Sequence, residues 1–272
     1  MEYVTVQDTE IPALGLGTWR MKGPTCRRAV ATALDCGYRH VDTAQMYGNE
    51  RQVGAAISGA AVDRDEVFLT TKLAMSNRDH DSVIESTETS LRKLQTDSVD
   101  LLLIHQPNRG VALEETLGAM DELVDDGLVD HIGVSNFGVE RLHSACEIAD
   151  APILTNQVMY HPFWDQSTVL DYCQIHDIML TAYSPLAHGG AISDPLLNEI
   201  GARYDKTSAQ VAFRWLIQQE NVSTIPKSTS PEHIEANLEI FDFELTDEEM
   251  RAIRRPSASR TASSFVRARL PF

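Results

Sequence analysis

Four side chains of complementary chemistry stand at the ends of three consecutive apolar runs of the sequence. Asp42 and Tyr47 accompany the first of these runs, Lys72 lies at the end of the second and His105 ends the third. If the runs are neighbouring parallel strands, a carboxylate, a phenol, an ammonium and an imidazole meet at one edge of the sheet. In barrels of parallel strands, that edge carries the catalytic groups.

These four groups together suit the delivery of a proton to a reacting oxygen. A phenol ordinarily has a pKa of about 10, and a neighbouring ammonium favours the loss of its proton. Asp42 can pair with Lys72 and keep it charged, so we predict that Tyr47 acts as a general acid near neutral pH. His105 can hydrogen-bond to the same substrate oxygen and help to stabilise the alkoxide that forms when hydride reaches a carbonyl carbon.

Each of the four residues also has a purely structural interpretation. Asp42 and Lys72 suit a buried ion pair, His105 suits a core histidine with satisfied hydrogen bonds, and Tyr47 suits a packing residue. Their coincidence on neighbouring strand ends favours the catalytic interpretation over these alternatives.

The elements that would position these residues are short apolar runs that alternate with longer amphipathic segments. Residues 101–104 are apolar at consecutive positions, which is typical of a strand covered on both faces. Eight such alternations predict an α/β fold, a closed (β/α)8 TIM barrel, in preference to an open doubly wound sheet. The runs are Pro12–Gly17, His40–Ala44, Val67–Leu73, Val99–His105, His131–Asn136, Leu154–Tyr160, Ile178–Pro185 and Val222–Lys227.

Local signals predict where several helices begin and end. A hydroxyl residue followed three positions later by Glu or Gln is typical of a capping box at a helix start. Gly127 is expected to end a helix that begins at Leu113, and Ser230 before Pro231 predicts another helix start. The predicted capping boxes are Ser82 with Glu85, Thr207 with Gln210 and Thr246 with Glu249.

The two ends of the chain fall outside this alternation. The first eleven residues alternate in polarity, which predicts a small β-hairpin at the bottom of the barrel. From Arg255 onward the chain is rich in Ser, Ala and Arg, which leaves open a C-terminal loop near the active site or a floppy terminus. We expect residues 1–272 to form a single domain, since one such barrel takes roughly 250 residues.

Composition excludes several classes of function. The formal net charge is −17, from 40 acidic residues against 23 Lys and Arg, so we expect no binding to nucleic acid or to anionic membranes. This acidity favours a protein adapted to high salt over an ordinary, mildly acidic cytosolic enzyme, because salt screens the repulsion among the protein's own negative charges. The four cysteines lack metal-binding spacing, and no signal peptide or transmembrane run is found. We therefore expect a cytoplasmic protein without a bound metal.

A series of short motifs occurs in the order in which one known family has them. They are Gly15–Trp19, Gly37–Ala44, Tyr47–Glu50, Thr71–Lys72, Ile104–Pro107, Ile132–Phe137, Asn156–Val158, Tyr160–Pro162, Tyr183–Leu186 and Ile225–Ser228. Through them the chain resembles the aldo-keto reductases over nearly its whole length, and among these the prokaryotic 2,5-diketo-gluconate reductases. The resemblance implies a barrel that binds NADP(H), with NAD(H) tolerated, and reduces a small-molecule carbonyl substrate. It also implies the tetrad of Asp42, Tyr47, Lys72 and His105, in a monomer or weak dimer.

The resemblance further assigns roles to residues outside the tetrad. It implies that the Tyr183 ring stacks on the nicotinamide and that Lys227 and Ser228 contact the adenosine 2′-phosphate. The helix start predicted at Ser230 supports phosphate binding there, since helix N-termini attract anions. The nicotinamide carboxamide is expected to contact Ser135, Asn136 and Gln157. Further cofactor contacts are expected at Gly17, Thr18, Trp19, Ser184, Pro185, Leu186, Thr229, His233 and Asn237. Substrate contacts are expected at Trp19, Tyr47, His105 and Gln106.

Three positions depart from the family pattern. His233 stands where an arginine usually clamps the 2′-phosphate, and Ala236 replaces an acidic residue before Asn237. A neutral imidazole offers less charge than a guanidinium, so the preference for NADPH should be weaker than usual but should persist. Gln106 replaces a tryptophan of the substrate wall, which favours hydroxylated or keto-acid-like substrates over flat aromatic aldehydes.

A different class of function remains as the alternative: a cofactor-binding regulatory or sensor subunit of the same fold with little turnover. Other enzyme classes lack their motifs. None of the seven tyrosines is followed by lysine four residues later, as a short-chain dehydrogenase site requires, and no GxGxxG, HExxH or P-loop motif occurs.

Overall fold

The computed structural model of the protein describes residues 1–107 and 110–254, and the chain begins with an antiparallel hairpin. Its strands are β1 (Tyr3–Val6) and β2 (Thr9–Pro12). The Gln7 side chain donates to the carbonyls of Ile153, at 3.1 Å, and Asp177, at 3.0 Å. Ile153 opens a barrel strand and Asp177 precedes another, so the predicted hairpin at the bottom of the barrel is confirmed. The tail from Arg255 lies outside the described residues.

Eight parallel strands follow one another around the barrel in chain order within the described residues. Each of them overlaps one of the predicted apolar runs, and the predicted (β/α)8 fold is confirmed. The strands are β3 (Leu16–Gly17), β4 (His40–Asp42), β5 (Phe68–Leu73), β6 (Val99–Ile104), β7 (Val129–Ser135), β8 (Ile153–Met159), β9 (Met179–Tyr183) and β10 (Val222–Thr224).

The sheet closes just ahead of its first strand. Leu14 forms a parallel bridge with Thr224 of β10. The Gly15 amide donates to the Thr224 carbonyl at 2.9 Å, and the Thr224 amide donates to the Ala13 carbonyl at 2.8 Å. Closure brings every strand end onto one rim, so side chains far apart in sequence can meet there.

The helices lie between successive strands and after the last one. In the residues described they are α1 (Gly23–Cys36), α2 (Glu50–Ile57), α3 (His80–Leu94), α4 (Leu113–Asp125), α5 (Val139–Ile148), α6 (Ser167–Ile175), α7 (Pro195–Tyr204), α8 (Ser208–Ile217), α9 (Pro231–Ala236) and α10 (Asp247–Arg254). The apolar side chains at positions 101–104 of β6 are all buried, as expected for a strand covered on both faces.

Most of the predicted helix ends are confirmed. Thr207 and Gln210 form the capping box of α8, and Thr246 caps α10 with Glu249. Ser230 caps α9, where its hydroxyl accepts from the His233 amide. These signals depend on neighbours within a few positions, which is why the sequence alone reveals them.

The capping box predicted at Ser82 and Glu85 is wrong. α3 begins earlier, and Asp79 is its N-cap, with a carboxylate oxygen that accepts from the Ser82 amide at 3.1 Å. Asp and Ser cap helices about equally well, so the local pattern does not distinguish two candidates three positions apart.

Gly133 shows how closely the strands approach one another. A Cβ added there would lie 2.7 Å from the Leu103 side chain and 2.8 Å from the Thr155 carbonyl oxygen. We expect Gly133→Ala to lower the free energy of unfolding by about 1–3 kcal/mol through overpacking. Urea denaturation measures this. Gly118→Ala is the control, because a Cβ at that exposed α4 position meets no atom within 4 Å and alanine favours the helix. Equal stability of the two variants would contradict the packing argument.

Candidate active site

The four predicted catalytic residues converge on the rim formed by the carboxyl ends of the strands. Asp42 ends β4, Lys72 is the penultimate residue of β5 and His105 directly follows β6. Tyr47 ends a 3-10 helix, Gln45–Tyr47, that turns the chain back over the rim, with its amide bonded to the Ala44 carbonyl at 3.0 Å. The parallel register supplies the first three side chains from adjacent strands.

A buried ion pair joins the first two of these strands. Lys72 Nζ lies 2.5 Å from Asp42 Oδ1 and donates to the Thr43 carbonyl at 2.8 Å. Gln157 Nε2 donates to the other Asp42 oxygen, Oδ2, at 2.8 Å. Burial lowers the pKa of Lys72, and the Asp42 carboxylate opposes that shift. The pair therefore sits in a hydrogen-bond network that holds both side chains in one geometry.

Tyr47 lies against this pair and differs from expectation in its acidity. Lys72 Nζ is 5.1 Å from the centroid of the Tyr47 ring. The pKa of Tyr47 is nevertheless raised above its ordinary value, first by burial and then by the Asp42 carboxylate. The net shift is opposite to the lowering expected from the Lys72 ammonium, because burial and the Asp42 carboxylate outweigh it. Tyr47 is accordingly a protonated phenol at neutral pH, ready to donate but slow to ionise.

The His105 imidazole completes the group. Its ring centroid is 5.6 Å from that of Tyr47, in an edge-to-face arrangement. Burial, and next the Lys72 charge, lower the pKa of His105 to about 4. The imidazole is therefore neutral at pH 7 and carries one N–H donor. Its Nδ1 atom is buried and has no hydrogen-bond partner.

These residues line a cavity of about 430 Å³, a volume that suits a small ligand. From the predicted set, the cavity wall includes Asp42, Tyr47 and His105 of the tetrad, and Gly17, Trp19, Gln106, Ser135, Asn136, Gln157, Tyr183, Ser184, Pro185 and Lys227. Lys72 lies behind the wall, fully buried. One opening on the rim thus brings together most of the residues expected to contact cofactor and substrate.

Three polar residues of this wall are connected to one another. Tyr183 Oη donates to Asn136 Oδ1 at 2.8 Å, and Asn136 Nδ2 donates to the His105 carbonyl at 3.1 Å. Asn136 takes a positive φ of 63°, a conformation that Asn tolerates better than most residues. The network ties β9, β7 and the end of β6 together on the cavity side.

Several predicted contacts do not line the cavity. Thr18 is buried, and its hydroxyl donates to the Asp42 carbonyl at 2.9 Å, so it supports the tetrad from behind. The remaining ones also lie outside the cavity wall: Leu186 next to Pro185, Ser228, Thr229 and His233 around the start of α9, and Asn237 at the C-terminal end of that helix. His233 and Thr229 are exposed there, and Ser228 Oγ accepts from the Ser230 amide at 3.2 Å.

Four cavity residues were not foreseen from the sequence: Met46, Met159, His188 and Ile225. Met159 lies two positions after Gln157 on β8, and alternate residues of a strand face the same side, so its position was readable from the pattern. Ile225 directly follows the end of β10, so strand alternation does not place it. Met46 and His188 lie in short 3-10 segments that follow strands, where no strand or α-helical periodicity indicates which way a side chain points.

The described residues offer neither a metal-binding cluster nor a membrane-spanning helix. Among residues 1–107 and 110–254, no group of three or more His, Cys, Asp or Glu side chains is placed to hold a metal ion. Within the same part of the chain, no helix is both long and apolar enough to cross a membrane.

Comparison with known proteins places this geometry among relatives. The model of the aldo/keto reductase family matches residues 13–257. An aldo/keto reductase of Synechocystis sp. is 40% identical, over 93% of this chain and 88% of its own. Methylglyoxal reductase DkgB of Escherichia coli O157:H7 is 41% identical, over 89% of this chain and 92% of its own.

Solved structures agree with the sequence comparisons. A protein assigned as a 2,5-diketo-D-gluconic acid reductase B superposes with a TM-score of 0.92 and 49% identity, over 93% of this chain and 90% of its own. MGS-M4, an enzyme from a Medee basin deep-sea metagenome library, gives a TM-score of 0.88 and 40% identity, over 92% and 93% of the two chains.

Proposed function

The chain belongs to the aldo/keto reductase family, and we propose that it reduces small aldehydes and ketones to alcohols with Tyr47 as the general acid. One observation carries the proposal: the phenol of Tyr47 and the imidazole of His105 lie side by side on the cavity wall. The buried ion pair of Asp42 and Lys72 lies next to them. A hydroxyl and an N–H donor at this place can bind one substrate oxygen together.

Nicotinamide cofactors serve this family, and the donor set of the cavity fits one. Ser135, Asn136 and Gln157 present a hydroxyl and two amides on the wall, which suits a carboxamide that both donates and accepts. The half-buried Tyr183 ring borders the same space and suits stacking on a flat ring. We propose these four residues as nicotinamide contacts, with Gly17, Thr18, Trp19, Ser184, Pro185 and Leu186 around them.

The chemistry then divides between cofactor and protein. A bound reduced nicotinamide supplies the hydride that adds to the carbonyl carbon. The raised pKa of Tyr47 keeps its proton in place until the carbonyl oxygen becomes an alkoxide, which is a stronger base than phenolate. Tyr47 then transfers its proton to that oxygen, and His105, neutral because of its lowered pKa, donates a second hydrogen bond. Asp42 and Lys72 fix the ring of Tyr47 from behind.

Turnover measurements test the proposed function directly. Oxidation of NADPH in the presence of a panel of aldehydes, keto-sugars and 2-keto acids is expected to show saturable reduction. The polar wall at Gln106 supports better turnover of hydroxylated or keto-acid-like substrates than of flat aromatic aldehydes. Tight NADPH binding without measurable turnover of any carbonyl would contradict the proposal and favour a sensor.

We propose NADP(H) as the preferred cofactor, with the 2′-phosphate near Lys227, Ser228, Thr229, His233 and Asn237. Lys227 is exposed on the cavity wall, and its ammonium makes no ion pair among the described residues. A free ammonium at this place suits a phosphate dianion, while His233 supplies less charge than arginine would.

Replacing Lys227 with methionine tests this assignment. We expect kcat/KM with NADPH to fall by roughly tenfold, because the variant loses one charge-assisted contact to phosphate. The value with NADH, which lacks the phosphate, is expected to stay nearly unchanged and serves as the internal control. A wild-type kcat/KM that is larger with NADH than with NADPH would contradict the proposed preference.

A further inference from the structure

The largest fully buried side chain of the described residues is a cation without a carboxylate. Arg78 lies between β5 and α3 and is 1% exposed. It takes part in none of the ion pairs formed among residues 1–107 and 110–254. Its Nε and Nη1 atoms are buried without a hydrogen-bond partner. Burial, and then Arg141, lower the pKa of Arg78 to about 10, so the guanidinium is still charged at neutral pH.

Arg78 connects the two ends of the loop that carries His105. Its Nη2 atom donates to the carbonyl of Gln106, the residue after His105, at 3.0 Å. Its own carbonyl accepts from the hydroxyl of Thr116 on α4 at 2.7 Å. The Arg78 side chain therefore binds the start of the connection between β6 and α4. The Arg78 main-chain carbonyl binds α4, the helix that follows this connection.

The carbonyl of His105 itself is held from the other side. Asn136 Nδ2 donates to it at 3.1 Å. Two consecutive carbonyls thus receive side-chain donors from two different loops, Asn136 after β7 and Arg78 after β5. This arrangement restricts the backbone torsions that aim the imidazole into the cavity.

We propose that Arg78 is a positioning residue of this site, which fixes the His105–Gln106 segment and supplies an unneutralised positive charge beside His105. The proposal rests on the proposed function for its catalytic consequence. A single hydrogen bond to a carbonyl does not require a charge, and burying an uncompensated guanidinium is costly. Next to His105 this charge disfavours protonation of the imidazole, in addition to the larger effects of burial and Lys72.

The charged groups around His105 support this role. It faces Tyr47 from the 3-10 helix, Asp42 from β4, Lys72 from β5 and Arg78 from the following loop. The Lys72 charge is balanced by Asp42 at 2.5 Å, whereas the Arg78 charge has no such partner in the described part of the chain. A cation close to an imidazole disfavours its protonation, and Arg78 contributes to the lowered pKa of His105.

The test compares Arg78→Met, which removes the charge and the donor, with Arg78→Lys, which keeps the charge. The readout is the titration of the His105 ring by NMR in the free protein, with His105→Gln to assign its signal. We expect the His105 pKa to rise in Arg78→Met and to stay low in Arg78→Lys. Arg78→Gln provides a second neutral variant if the methionine variant does not fold.

Arg64→Met is the matched control. Arg64 is partly buried at the opposite end of β5, and its charge is balanced by Asp100 at 2.7 Å. We expect this variant to lose stability without a change in the His105 titration or in kcat. Arg78→Met is expected to lower kcat by roughly 10- to 100-fold at neutral pH, because the donor is misplaced.

The outcomes separate the two proposals. If neither neutral Arg78 variant moves the His105 titration or kcat further than Arg64→Met does, the positioning role is overturned. The titration requires no turnover, so it decides the role of Arg78 even if the wild-type protein reduces no carbonyl. Absence of wild-type turnover would instead overturn the proposed function.

Discussion

Replacing Tyr47 with phenylalanine is expected to lower kcat for carbonyl reduction by about 10²- to 10⁴-fold, the usual contribution of general acid catalysis. The variant keeps the ring that packs beside Lys72 and His105 and loses only the proton donor. Steady-state kinetics with NADPH and an aldehyde measure the effect, and the Kd for NADPH should change little.

A second tyrosine provides the matched control for this variant. Tyr160 is buried outside the cavity, and its hydroxyl donates to Gln219 Oε1 at 2.7 Å. Tyr160→Phe is expected to cost about 1 kcal/mol of stability through the lost hydrogen bond, with kcat unchanged. Near-normal kcat in Tyr47→Phe would show that Tyr47 is not the general acid.

Removal of the Lys72 ammonium is expected to damage both stability and activity. Lys72→Met leaves the Asp42 carboxylate buried without its ion-pair partner, so the free energy of unfolding should fall by about 3–5 kcal/mol. The kcat should fall as well, because Lys72 no longer orders the network behind Tyr47. Urea denaturation and steady-state kinetics measure the two effects separately.

A double variant distinguishes a structural ion pair from a catalytic one. Asp42→Asn with Lys72→Met removes both charges and keeps an amide that can accept from Gln157. Buried pairs can often be replaced by neutral groups at little cost in stability, so we expect much of the lost stability to return while kcat stays low. Recovery of both stability and kcat would mean that the pair is merely structural.

The raised pKa of Tyr47 changes how the tetrad is understood. The residue types alone suggested a lysine that makes the phenol more acidic. Whether a nearby ammonium acts in this way depends on burial and on the distances to other charges. Here burial raises the pKa of Tyr47 most, the Asp42 carboxylate raises it further, and Asp42 also pairs with Lys72. The phenol serves as an acid because the alkoxide is a stronger base, without any need for an acidic tyrosine.

Much of the fold follows from the sequence by itself, because its signals are local. Apolar runs with period two or continuous burial predict strands at every barrel position, and hydroxyl caps predict helix starts at Thr207, Ser230 and Thr246. Polar residues at the ends of apolar runs placed Asp42, Lys72 and His105 on one rim, since parallel strands end together. The failure at Ser82 arose where two local signals competed.

Only the tertiary structure shows the features that depend on contacts between residues far apart in the sequence. Met46 and His188 reach the cavity from short 3-10 segments between strands and helices, and the sequence gives no sign that Arg78 is buried without a counter-ion among the described residues. Burial and charge proximity set the acidity of Tyr47 and His105, and both are properties of a closed barrel. The sequence therefore determines which groups stand on the rim, while the packing determines their protonation and aim.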